Sequence, residues 1–188
     1  LPDLVAFAQH HNLKLGTIAD LIAHRRRTER MVQHVTQTPF VDSNGGDWTL
    51  HVYATKLDYA EHVVLVKGDL SGPEPVLVRM HAVDVLDNLV QGPYWHRFHD
   101  AMMMIAAAGR GAVVILRETR PTAVSDTVRK RLSSPRPPGN LRDYGIGAQI
   151  LLDLGVKDMV LLSNTQRNII GLEGYGLNVV EQRQIGNL

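Results

Sequence analysis

The stretch from Leu141 to Glu181, LRDYGIGAQILLDLGVKDMVLLSNTQRNIIGLEGYGLNVVE, constrains the fold of this chain more than any other. Asp143 is expected to cap a helix on which Ile146, Ile150, Leu151 and Leu154 share one apolar face. Gly155 follows the last apolar residue and suits a left-handed C-cap. Met159 to Leu162 is a short apolar run fit for a buried strand. Ser163, Asn164 and Thr165 supply polar groups at its carboxyl end, where open α/β sheets place ligand-binding loops. Glycines at 171, 174 and 176 then turn the chain into a last strand, Leu177 to Gln182. The pattern is that of a βα unit with a polar loop at a strand end.

Upstream, Leu1 to Glu29 reads as two short helices. Pro2 suits a first helical turn, Leu4, Phe7 and Ala8 share a face, and Thr17 can cap a second helix carrying Ile18, Leu21 and Ile22. Arg25 to Arg27 then lie at a helix end, either solvated or facing a phosphate. From Met31 the pattern changes to strands. Trp48, Leu50, Val52 and Ala54 alternate with polar residues, as in a half-buried strand, after an Asn44-Gly45-Gly46 turn, and Val63–Val66, Val76–Val78 and Ala112–Leu116 are further strands. Tyr94 to Ala108 is a predicted helix, with Met102, Met103 and Met104 as core filler. Thr119 to Gly139 combines four prolines with a run of basic residues, so an irregular or mobile loop is expected there.

At 188 residues the chain can hold one substantial domain, or a domain with an appendage. Its net charge of +1 argues against a nucleic-acid coat, and no apolar run approaches the ~20 residues of a membrane span. A cytoplasmic protein without a signal peptide is expected, and the opening Leu1 suggests continuation of a longer chain. The cysteine count of zero excludes disulfides and every thiolate metal site.

RDYGIGAQIL, LGV, LLSN and GLEGYGLNVVE, preceded by EHVVLVKGDLSG and PVLVRMH, resemble GTP cyclohydrolase II in composition and order over residues 45–185. That family typically reads DxRDYGIGAQIL, LLTNNPRK and GLEGYGLxVVE at the matching places. Residues 1–30 resemble the C-terminal tail of 3,4-dihydroxy-2-butanone 4-phosphate synthase, which often precedes the cyclohydrolase in bifunctional riboflavin-biosynthesis proteins. The resemblance therefore implies a tail over 1–30 and a cyclohydrolase-like domain over 31–188. It implies an α/β fold, a mixed sheet with packed helices, and a homodimer.

Opening the guanine ring of GTP needs a metal-activated water, a grip on the triphosphate and a group that attacks phosphorus. In the resembled family three cysteines hold a catalytic zinc. Here Asp84 stands at the first of those positions and Gly92 and Tyr94 at the other two, so no zinc or other cofactor is expected. The family's glycine-rich RQEGRGIGL run is Arg117-Glu118-Thr119-Arg120-Pro121 in this chain. Arg79 matches an arginine associated with the triphosphate, and Arg142 matches the proposed nucleophile, with Asn140 in place of its aspartate partner. Ser163 stands at a threonine and Asn168 at a lysine. Three readings stay open. The first is a domain without GTP hydrolysis that supports the synthase half structurally, in dimerisation or in regulation, with GTP bound weakly or not at all. The second is an active hydrolase whose metal site is rebuilt from His96 and His99 with Asp84 or His81. The third is a nucleotide sensor using Arg79, Arg142 and Ser163.

Overall fold

The computed structural model describes residues 2–18, 20–21, 24, 29–42, 46–56, 60–88, 95–133, 141–164, 172 and 175–186, with the backbone alone at 87–88, 130–133 and 141–144. Its strands are β1 (Val32–Asp42), β2 (Gly46–Thr55), β3 (Ala60–Lys67), β4 (Val76–Ala82), β5 (Gly111–Leu116), β6 (Asp158–Leu162) and β7 (Asn178–Arg183). They form one sheet in the order β1-β2-β3-β5-β4-β6-β7. The neighbouring pairs β1-β2, β2-β3 and β3-β5 are antiparallel, whereas β5-β4, β4-β6 and β6-β7 run parallel. The described helices are α1 (Pro2–His10), α2 (Val85–Asn88), α3 (His96–Ala108), α4 (Ala123–Ser133) and α5 (Leu141–Asp153). The expected α/β fold with a mixed sheet is the one found.

Period-two alternation divides the strand side chains between two cores. Val64, Val66, Val76, Val78, Met80, Ala112, Val114, Met159 and Leu161 pack with Ile146, Ala148, Ile150 and Leu151 of α5. On the opposite face Leu65, Val113 and Leu162 pack with Ala101, Met102 and Ile105 of α3, beside Trp48 and Ile185. Met102 is therefore core, as its sequence setting suggests.

Helix α5 ends as its sequence requires. Gly155 adopts φ 85°, its N–H donates to Leu152 O, and Val156 N–H donates to Leu151 O. This is a Schellman ending, with Val156 packed in the same core as Leu151. The start differs from expectation: the helix begins at Leu141, two residues ahead of the predicted Asp143 cap. Two polar contacts fix the helix to the antiparallel side of the sheet. Gln149 Oε1 accepts from Met31 N at 3.0 Å, and Tyr53 donates to Asp153 Oδ2 at 3.0 Å. Burial and that bond push the Tyr53 phenol well above its ordinary range.

At the N-terminal side, Thr17 and Asp20 form a reciprocal capping box, Thr17 N donating to Asp20 Oδ2 and Asp20 N donating to Thr17 Oγ1. The predicted cap is in place, while Arg25 to Arg27 lie outside the described residues. The predicted apolar face of α1 is not core: only Ala8 is buried, and Leu4 and Phe7 are 58% and 57% exposed.

One expectation is overturned over Ala123–Ser133, while residues 134–139 of the same interval lie outside the described residues. Ala123–Ser133, within the interval read as an irregular loop, is helix α4. No proline or glycine falls between Pro121 and Ser134, and Asp126 offsets part of the basic charge. Asp126 accepts from Thr122 Oγ1 at 2.9 Å and pairs with Arg129 one helical turn on at 3.3 Å. Strand β1 went unread because most of its side chains are exposed on both faces, which leaves no alternation, and Pro39 is tolerated at a sheet edge.

The loop between β3 and β4 is held by one side chain. Arg110 donates through Nε to Asp69 O at 2.7 Å and through Nη2 to Leu70 O and Ser71 O at 3.0 Å each. Gly68 enters that loop at φ 65°, and a Cβ there would run into the carbonyl oxygen of Gly109. Arg110→Ala is expected to lower stability by about 1–3 kcal/mol, since three carbonyls lose their donor. Urea unfolding measures this, and an unchanged midpoint would refute it.

His62 is 2% exposed on β3, and its Nδ1 accepts from Arg117 N at 3.1 Å. Burial, then the Arg117 charge, holds its pKa below the ordinary 6.5. The folded state therefore keeps the ring neutral where the unfolded chain is protonated. The associated stability is full above pH 6.5 and is lost as pH falls below it, by up to about 1.4 kcal/mol per pH unit. Denaturation between pH 7 and 5 should show this slope, and His62→Phe should flatten it.

Candidate functional site

The carboxyl ends of the parallel strands β4, β5 and β6 lie side by side, and the sequence-predicted site residues gather around them. Arg79 projects from β4 toward the α3 side, because its neighbours Val78 and Met80 belong to the α5 core. Its Nη1 donates to Leu162 O, the last residue of β6, at 2.9 Å. The guanidinium thereby ties two parallel strands together at the point where the polar loop begins. Ser163 follows, half-buried, and its N–H donates to Arg183 O at 2.9 Å. Asn164 closes the loop base, donating through Nδ2 to Ile185 O at 3.1 Å and accepting from Ile185 N at 2.6 Å.

Arg79, midway along β4, thus reaches the end of β6, where Ser163 follows. Arg142 occupies the first turn of α5, and its side chain lies outside the described residues, as do Asn140, Asn168, Gly92 and Tyr94. The two glycines after Arg142 have packing roles. A Cβ on Gly145 would stand 2.7 Å from the Tyr175 hydroxyl, and one on Gly147 would stand 3.3 Å from Met80 Sδ and Cε.

Beyond β5, where a phosphate-cradling backbone would need glycine, side chains close on one another. Arg120 donates to Glu118 through Nε at 3.1 Å and Nη2 at 2.8 Å. Glu118 also accepts from the backbone N–H groups of Thr119 and Arg120. These bonds, the Arg120 side chain first, hold the Glu118 carboxyl below its usual range. Arg120 Nη1 reaches Asp126 at 3.5 Å. The turn presents carboxylates already matched to its arginine, not amide donors aimed at an anion. This network escaped the sequence reading, although Glu118, Arg120 and Asp126 at spacings of two and six residues gave the signal.

The zinc of the resembled enzymes does not fit the donors described here. The chain contains no thiolate, and Asp84 accepts from Leu86 N at 2.9 Å, capping α2. Nor do the histidines assemble a substitute. His81 packs on Phe98 at 5.0 Å between ring centroids, and His96 stands against Trp95 at 6.3 Å. Among the described residues no group of three or more His, Cys, Asp or Glu side chains is placed to hold a metal.

A seven-stranded mixed sheet, packed by α5 on one face and α3 on the other, defines an α/β fold with a polar loop base at the end of β6. The GTP cyclohydrolase II family matches residues 33–184, and the chain belongs to that family. It is 39% identical to the riboflavin biosynthesis protein RibBA of Aquifex aeolicus, over 97% of this chain and 49% of that protein. It is 36% identical to the monofunctional riboflavin biosynthesis protein RIBA 2 of Arabidopsis thaliana, over 95% of this chain and 39% of that protein. Among solved structures it is similar to RibBX, a two-domain 3,4-dihydroxy-2-butanone 4-phosphate synthase from A. baumannii. The TM-score there is 0.59 and the identity 27%, covering 99% of this chain and 49% of that one. The chain therefore spans half or less of the length of these relatives. No helix among the described residues is long and apolar enough to cross a membrane.

Arg79→Met should lose about 1–3 kcal/mol of stability, because the carbonyl of buried Leu162 then lacks its charged donor. Thermal unfolding reads this out. A variant as stable as the parent would show that the guanidinium is not a structural tie.

Proposed function

We propose that this is a GTP cyclohydrolase II-like domain of a riboflavin-biosynthesis protein that does not open the guanine ring. It serves the 3,4-dihydroxy-2-butanone 4-phosphate synthase half through structural support, dimerisation or regulation, as a cytoplasmic homodimer. The observation that carries this reading is Asp84. At the first zinc-ligand position of a chain without cysteine stands a carboxylate, which accepts from Leu86 N and caps α2. The Glu118–Arg120–Asp126 network supports it, since a triphosphate entering there would meet two carboxylates. The likeness to a two-domain synthase supplies the partner half.

The energetics point the same way. A charge-assisted hydrogen bond contributes about 1.5–3 kcal/mol, so losing a metal, a glycine-rich cradle and the lysine replaced by Asn168 removes several such units. Against the roughly 8 kcal/mol of a micromolar complex, that leaves millimolar binding at best. The full-length protein supplied with Zn²⁺ should therefore show no GTP turnover, and calorimetry at physiological salt should show no saturable GTP binding. Deleting residues 31–188 should change the activity or oligomeric state of the synthase half. GTP turnover would overturn the proposal. A dissociation constant of about tens of micromolar, weakened by Arg142→Ala, would favour the nucleotide sensor.

A further inference from the structure

Two histidines far apart in sequence meet on the β1–β2 ribbon. His34 Nε2 and His51 Nδ1 share a hydrogen bond at 3.2 Å, the donor set by the tautomer, with ring centroids 5.3 Å apart and planes inclined at 57°; a bound ion would take the place of the shared proton, which moves to the far nitrogen of its own ring. The strand register explains the meeting. His34 lies opposite Tyr53, whose same-face neighbour along β2 is His51, and the pairing then shifts at Val35 so that Gln37 lies opposite His51. A β-bulge of this kind bends its strand and re-aims the flanking side chains.

Both rings are held in place. His34 packs edge-on against Tyr53 at 5.0 Å, and Tyr53 is 1% exposed and anchored by its hydroxyl on Asp153. His51 is half-buried on a strand paired on both sides. Two imidazole nitrogens bound to one ion at about 2.0–2.1 Å stand roughly 2.9 Å apart for a right-angled pair and 3.3–3.4 Å for a tetrahedral one. The observed 3.2 Å falls between these limits.

We propose that His34 and His51 form a two-imidazole chelate for a divalent first-row transition-metal ion. His34 ligates through Nε2 and His51 through Nδ1, each ring keeping its single proton on the nitrogen turned away from the ion. Water fills the remaining positions. Imidazole suits Cu²⁺, Ni²⁺ and Zn²⁺, and among these Cu²⁺ binds a given nitrogen site most tightly. The place is distinct from the family's zinc position. β4, which leads to Asp84, lies three strands from β2, roughly 14 Å away at ~4.8 Å per strand. The site lies outside the proposed loss of GTP chemistry, and either can fail without the other.

The test is titration of the tag-free full-length protein with Cu²⁺ alone, followed by calorimetry and electron paramagnetic resonance. One Cu²⁺ per chain with nitrogen ligation is expected. His34→Ala and His51→Ala should each weaken it by about tenfold or more, since loss of even a residue supporting a ligand costs that much. The variants His10→Ala/His11→Ala and His96→Ala/His99→Ala should bind as the parent does. No stoichiometric binding would overturn the proposal, as would binding kept by either single variant or lost in a control pair. A measurement on the unaltered protein guards against misfolded variants. Paramagnetic broadening by Cu²⁺ in NMR spectra should centre on His34 and His51, and broadening centred elsewhere would refute the site.

Discussion

Helix α5 lying across the sheet is the contact on which the rest depends. Its apolar face, Ile146, Ala148, Ile150 and Leu151, closes the larger core over strands that run both parallel and antiparallel. Its polar groups extend the hold sideways. Gln149 fixes the entry to β1, and Asp153 receives the Tyr53 hydroxyl from β2. A buried hydrogen bond contributes about 1 kcal/mol, little beside the apolar burial, but it sets position where the hydrophobic effect is non-directional. The β2–β3 and β3–β5 ladders already join the antiparallel ribbon to the parallel half, and these two bonds fix the helix against it.

At the other end of the same strands, charged groups satisfy one another within the protein. Arg79 joins β4 to β6, Asp84 caps α2, and Arg120 binds Glu118 with Asp126 nearby. A site that grips a polyanion needs donors without internal acceptors, pre-aimed and waiting. Here several such donors are occupied by carbonyls and carboxylates. The electrostatics therefore favour a surface that holds its own shape over one that is completed by a ligand.

Much of the architecture was legible because local chemistry and burial agree. The Met159–Leu162 strand, the α5 face and the Gly155 cap each carry a pattern set by neighbours within one or two turns. Helix α4 was misread because prolines at 121 and 135 bracket a helix instead of breaking one, and because Asp126 offsets the arginines. β1 was unread because an exposed edge strand has no alternation to show. The site was legible only as single residues: nothing local announces that Arg79 will meet the Leu162 carbonyl, 83 positions away. The His34–His51 pair was illegible for the same reason, since its geometry depends on a register and a bulge.

The two glycines of the α5 first turns bear on how such a segment persists. At Gly145 the Tyr175 hydroxyl occupies the space of a side chain, and at Gly147 the Met80 thioether presses close. An alanine at Gly145 would have to displace the Tyr175 hydroxyl, and one at Gly147 would crowd the Met80 thioether, whatever chemistry the protein performs. A lineage released from catalysis would stay under the same steric selection here, while ligand positions nearby drifted. A well-kept glycine signature in this segment is thus a record of packing, and it can outlive the reaction with which it is associated.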